Sequence, residues 1–123
     1  MKKRVLLIED DTFLLKVFAA HLQNAGIETT TVVDGGKALA AVTRSKPNLI
    51  LLDIGLPNKN GFQILEALKK KKTTKDIPVF LITKLGGEAD RAYGLSLGAE
   101  KYYYKVDASF LEIVKEVAKR IMV

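Results

Sequence analysis

Three times this chain runs through four consecutive apolar residues and stops on a polar one. The runs are Val5–Ile8 before Glu9, Leu49–Leu52 before Asp53, and Val79–Ile82 before Thr83. A run of that length with no polar alternation suits a strand buried on both faces, the situation of a parallel sheet covered by helices on each side. Longer stretches with apolar residues at three- and four-residue spacing lie between the runs. Leu14, Val17, Phe18, Leu22 and Ala25 mark one helix face, closed by Gly26. Ala38, Leu39 and Val42 mark a short helix within Lys37 to Arg44, and Ile64, Leu65 and Leu68 a third. A fourth runs from Glu88 to Leu97 and stops at Gly98; Ile113, Val114, Val117, Ala118 and Ile121 line a fifth. Glu28 to Val33 is β-branched and reads as a strand, and Tyr102 to Tyr104 as a short one ending in Lys105. Strand and helix alternate five times. This predicts an α/β fold, a doubly wound five-stranded parallel sheet with helices on both faces and right-handed crossovers. A length of 123 residues suits one domain, 1–123, with no room for a second.

Composition removes several kinds of chemistry. The chain has no cysteine, so it holds no disulfide framework, thiolate zinc site or cysteine nucleophile. His21, the single histidine, falls near the first helix's apolar face, where a structural role is expected. No apolar stretch approaches the roughly 20 residues that span a bilayer, and only four apolar residues follow the basic start before Glu9, which is no signal peptide. A soluble, cytoplasmic protein with no membrane partner is expected. The net charge of +6 owes much to Lys69-Lys70-Lys71-Lys72, with Lys75 close behind. That run reads as a solvated helix end, favoured by the helix dipole, so direct nucleic-acid binding is not expected.

The residues that end the strands carry the functional signal. In a parallel sheet Glu9-Asp10, Asp53, Thr83 and Lys105 fall at one edge, where ligands of such sheets bind. Carboxylates brought together there repel unless a cation intervenes, and hard oxygen donors suit Mg2+. A metal, an ammonium and a hydroxyl are what a phosphoryl group requires around its oxygens, and a carboxylate in their midst can be the nucleophile. Asp11 reads instead as a helix N-terminal acid.

The segments VLLIEDD at 5–11, LILLDIGLPNKNG at 49–61, VFLIT at 79–83 and GAEKYYYK at 98–105 stand in this order at strand ends. On these segments the chain resembles the receiver domain of two-component response regulators, of the single-domain CheY-like kind, over essentially its whole length. The resemblance implies a flavodoxin-like sheet in the order 2-1-3-4-5, with no effector domain. It implies Asp53 as phosphoacceptor, and Mg2+ held by Glu9, Asp10, Asp53 and the backbone carbonyl of Gly55. Thr83 and Lys105 would bind the phosphoryl oxygens, and Thr83 with Tyr102 would form the switch. The implied donor is a sensor histidine kinase or a histidine phosphotransfer protein, and the implied reader a downstream protein effector. The output face would include Arg91, Lys101, Tyr103 and Lys115. With few acids beyond Glu112 and Glu116 to pair them, that face is expected to be basic, to favour an acidic partner and to leave the unphosphorylated protein monomeric.

Four positions depart from the family's pattern. Val106 replaces the usual proline after Lys105, and a trans peptide is expected there because a non-proline cis bond costs about 3–4 kcal/mol. Lys84 stands where a small residue is usual, and Tyr104 where a smaller one is common. Gly55 and Leu85 occupy positions that tune dephosphorylation, and neither side chain can align a water, so slow self-dephosphorylation is expected. Lys84 and Val106 also support a second reading, a degenerate receiver acting as a phosphorylation-independent interaction module. A nucleotide-binding or flavodoxin-like enzyme is disfavoured, since Glu9-Asp10-Asp11 stands where a glycine-rich phosphate loop would follow the first strand.

Overall fold

The structure, a computed structural model, describes residues 2–56, 60–84, 87–105 and 109–122. Its elements are β1 (Arg4–Ile8), α1 (Thr12–Asn24), β2 (Glu28–Val32), α2 (Ala38–Ser45), β3 (Leu49–Asp53), α3 (Gly61–Lys70), β4 (Val79–Thr83), α4 (Glu88–Ser96), β5 (Lys101–Tyr104) and α5 (Phe110–Ile121). The strands are parallel, in the order β2-β1-β3-β4-β5. This is the flavodoxin-like topology.

The period of two explains the unbroken apolar runs. Leu6, Ile8, Ile50, Leu52, Val79 and Leu81 point into one core, closed by Ala41 and Val42 of α2 and by Ile64, Leu65 and Leu68 of α3. Their neighbours Val5, Leu7, Leu49, Leu51, Phe80 and Ile82 point into a second core, closed by Leu15, Phe18 and Leu22 of α1 and by Ile113, Val114, Val117 and Ile121 of α5. A central strand with a layer on each side has no face left for a polar residue.

Side-chain caps fix where the helices start. The Asp11 carboxylate accepts from the Phe13 and Leu14 amides at 3.0 and 3.2 Å, so it is the N-cap of α1. Asn60 and Gln63 form a reciprocal capping box at α3, and Ser109 caps α5. Gly26 and Gly98 end their helices at φ of 81° and 109°. A short 3-10 turn, Gly35–Lys37, precedes α2, which starts one residue later than the sequence suggests. The buried face of α1 is Leu14, Leu15, Phe18 and Leu22; Val17 is only half-buried, and Ala25 is exposed because it caps the helix end. Among the described residues no helix is long and apolar enough to cross a membrane.

Candidate functional site

Parallel strands end together, so the polar residues at the C-terminal ends of β1, β3, β4 and β5 converge. Asp10, Asp11, Asp53, Gly55, Thr83, Lys84 and Lys105 line one pocket of about 280 Å³ at this edge, with Glu9 beneath it. Glu9 and Thr83 are fully buried and Asp53 nearly so, while Asp10 is exposed. The Lys105 ammonium stands 2.5 Å from Glu9 Oε1 and 3.2 Å from Asp53 Oδ2, bridging the two acids. The other Asp53 oxygen accepts from the Gly55 amide at 3.2 Å, and Glu9 Oε2 accepts from the Asp10 amide at 3.0 Å. The Lys105 amide donates to the Thr83 carbonyl at 2.8 Å, tying the ends of β5 and β4 together.

The charges in this cluster do not balance. One lysine faces two buried or nearly buried carboxylates, with Asp10 close by. Burial first, and then the adjacent Asp53 carboxylate, push the Glu9 carboxyl up to about 8 against the opposing pull of Lys105. Burial works to lower Lys105, but its contacts with Glu9 and Asp53 outweigh burial and raise it. The pocket therefore holds a fixed cation and still favours one more positive charge, either a proton on Glu9 or a metal ion. Carboxylate oxygens of Glu9, Asp10 and Asp53 lie within 4.8 Å of one another, and such a hard-oxygen set fits a divalent ion of the Mg2+ type.

Gly61 explains how α3 can start so close to Asp53. A Cβ on Gly61 would lie 2.6 Å from both the Asp53 carbonyl oxygen and the Ile54 Cα, and the Gly61 amide donates to the Ile54 carbonyl at 2.8 Å. Only a residue without a side chain lets the helix N-terminus press on the backbone that carries the acid.

Tyr102 lies outside this pocket. Its half-buried ring packs edge-on against Tyr104, with centroids 5.4 Å apart, and a Cβ on Gly94 of α4 would come within 3.4 Å of it. Burial first, then the negative charge of Asp90, push its phenol up to about 12. Tyr104 has a role that was not visible in the sequence: its hydroxyl accepts from the Gly87 amide at 2.9 Å, fastening the chain just before α4.

The expected output face needs two corrections. Tyr103 alternates to the other side of β5, packs on Phe80 at 6.0 Å and buries its hydroxyl, so it belongs to the α1/α5 core layer. The face is also not basic. Arg91, Lys101 and Lys115 are exposed, but Arg91 stands 3.5 Å from Glu88, and Arg120 pairs with both Glu100 oxygens at 2.8 and 3.0 Å. Asp90, Glu112 and Glu116 add further acids, so this surface carries mixed charge. The like-charge argument against pairing of two such faces therefore lapses. In the lysine run Lys70, Lys71 and Lys72 are exposed as expected, but Lys69 is half-buried and folds back, donating to the Lys75 and Ile77 carbonyls at 3.0 and 2.8 Å. Leu85 and Val106, including the Lys105–Val106 peptide, lie outside the described residues.

Known proteins resemble this chain in sequence and fold. The chain is 39% identical over 105 residues to the response regulator PleD of Caulobacter vibrioides, covering 85% of this chain and 23% of that protein. It is 33% identical over 123 residues to the phosphate regulon transcriptional regulatory protein PhoB of Escherichia coli, covering 98% of this chain and 54% of that one. The chain thus spans between 23% and 54% of these relatives' lengths. Among solved structures it matches the phosphorylated cyanobacterial phytochrome response regulator RcpA, with a TM-score of 0.87, 30% identity and coverage of 97% of this chain and 93% of that one. It also matches a CheY-like receiver domain protein of Methanospirillum hungatei, with a TM-score of 0.88, 25% identity and coverage of 98% and 94%. The family of the response regulator receiver domain matches residues 5–117. With the sheet order, the acids at its edge and the bridging lysine in agreement, the chain belongs to the response regulator receiver domain family.

Proposed function

We propose that this chain is a phosphorylation-controlled switch in a two-component phosphorelay, with Asp53 as the phosphoacceptor. The observation that carries the reading is the Lys105 ammonium between Glu9 and Asp53 at the mouth of a polar pocket. An Asp53 oxygen attacks the phosphorus of a phosphohistidine on a sensor histidine kinase or a phosphotransfer protein. The phosphorus–nitrogen bond breaks, the imidazole leaves with a proton, and an aspartyl phosphate forms. Lys105 is released from part of its bridge to meet the new phosphoryl oxygens, and the Thr83 hydroxyl meets another. Glu9, Asp10, Asp53 and the Gly55 carbonyl would hold Mg2+, which when bound supplies charge neutralisation for the transferring phosphoryl group. Movement of Thr83 toward the phosphate draws Tyr102 inward and shifts the α4–β5–α5 surface between two states, one of which a downstream protein effector reads.

The test is transfer of phosphate to the protein from acetyl phosphate and from a histidine kinase, detected by Phos-tag gel and mass spectrometry. Modification of the wild type with Mg2+, and none in Asp53→Ala or without Mg2+, is the expected result. Lys84 in the pocket lining favours the second reading, a phosphorylation-independent interaction module. Absence of modification in the wild type would select it.

A further inference from the structure

We propose that the groove between the C-terminal ends of α2 and α3 is a docking site for an acidic protein segment carrying an aliphatic residue, and that it works independently of phosphorylation. The groove has a volume of about 460 Å³ and is lined by Val42, Thr43, Lys46, Pro47, Lys71, Thr73 and Thr74. Val42 and Pro47 are buried and form an apolar floor. The Thr43 and Thr74 hydroxyls donate to the Leu39 and Leu68 carbonyls at 3.2 and 2.7 Å, so their hydrogens are already in use. Lys46 and Lys71 are exposed at the rim and make no ion pair among the described residues.

The surroundings sharpen the sign of the partner. Lys72 and Lys75 follow Lys71 closely in the chain and are exposed like it, so the Lys71 side of the rim is rich in cations, with Asp76 the nearest acid in sequence. Lys46, Lys71, Lys72, Lys75 and Asp76 together carry a net +3, half of the chain's +6. A surface that concentrates this charge around an apolar-floored groove complements carboxylates flanking an aliphatic side chain. It suits a nucleic acid poorly. Among the described residues no aromatic ring or arginine lines the groove to stack on bases or grip phosphates in pairs, and a sugar-phosphate backbone has no use for the Val42–Pro47 floor. The groove is roughly 15 Å, the length of β3, from Asp53, so an occupant and a phosphoryl group need not compete.

Lys46 provides a clean probe. It is the one described residue other than glycine with positive φ, at 49°. Lys46→Gly therefore removes the charge while relieving the backbone, and the protein should melt no lower than the wild type.

The experiment is selection of a random linear dodecapeptide library on the full chain, followed by fluorescence anisotropy with the best peptide. Expected are sequences combining several Asp or Glu with Leu, Ile or Val. Their affinity should fall tenfold or more in Lys46→Glu/Lys71→Glu, severalfold in Lys46→Gly, and not at all in Asp53→Asn. No enrichment, enrichment without acidic residues, or undiminished binding by Lys46→Gly would overturn the proposal. So would tighter binding of a 20-base-pair DNA duplex than of the selected peptide.

Discussion

On the proposed Mg2+ role, the uneven charge in the pocket would make metal binding a measurable function of pH. Glu9 sits at about 8, held there mainly by burial and then by Asp53, and it must lose its proton before it can serve a divalent ion. At about pH 7 roughly nine in ten metal-free molecules carry that proton, so affinity should be about tenfold weaker than its alkaline limit. At about pH 6 it should be about a hundredfold weaker from this group alone. The sign is fixed: affinity falls as pH falls through 8. Titration calorimetry in buffers of different ionisation enthalpy counts the protons released, and about 0.9 per Mg2+ is expected near pH 7 against about 0.1 near pH 9. Metal-free stability runs the other way. The benefit of keeping a buried Glu9 neutral is fully present below its ordinary value of 4.5 and is lost as pH rises through about 8. The melting temperature without metal should therefore drop as pH rises from about 5 to about 8 and level off above it, and Mg2+ should restore it. Glu9→Gln should bind Mg2+ more weakly, with no such pH slope. An affinity flat from about pH 6 to 9, or an enthalpy indifferent to buffer, would refute the reasoning.

Further outcomes follow from individual side chains. Gly61→Ala places a methyl 2.6 Å from two backbone atoms next to Asp53; a loss of about 1–3 kcal/mol in urea unfolding and slower acetyl phosphate modification are expected. Lys69→Ala should cost about 2 kcal/mol by abandoning two loop carbonyls, whereas Lys71→Ala and Lys72→Ala should each stay within about 0.5 kcal/mol by the same assay. Lys84→Ala should slow modification by acetyl phosphate, a dianion, and the difference from wild type should shrink with added salt. With no polar side chain at Gly55, the acyl phosphate should persist for minutes in a quench time course, and its disappearance within seconds would contradict this.

The strands and the site were legible because burial leaves little ambiguity. A run such as Leu49–Leu52 has two faces to cover, and a carboxylate immediately after it can only stand at the sheet's edge. Helix faces were read less sharply: Ala25 fits the spacing but falls on the cap, while Leu15, off the chosen stripe, is buried. Lys69 was missed because nothing local separates one lysine of four. Its place is set by Gly98, far along the chain, whose bare α-carbon lets the Lys69 stem lie across it. The output face was misjudged for a related reason. Glu88, Asp90 and Glu100 were left out of its charge: Glu88 pairs with Arg91 within α4, and Glu100 meets Arg120 only when the start of β5 and α5 come together.

The alternation along the strands also divides the molecule thermodynamically. Ile50 and Leu51 are neighbours in sequence, yet they belong to cores on opposite sides of the sheet. Packing defects in the two cores should then be close to additive, since the sheet backbone separates them. The sheet acts as a partition between two half-proteins, and the strand ends are where both halves meet. The carboxylates and Lys105 stand at that meeting line.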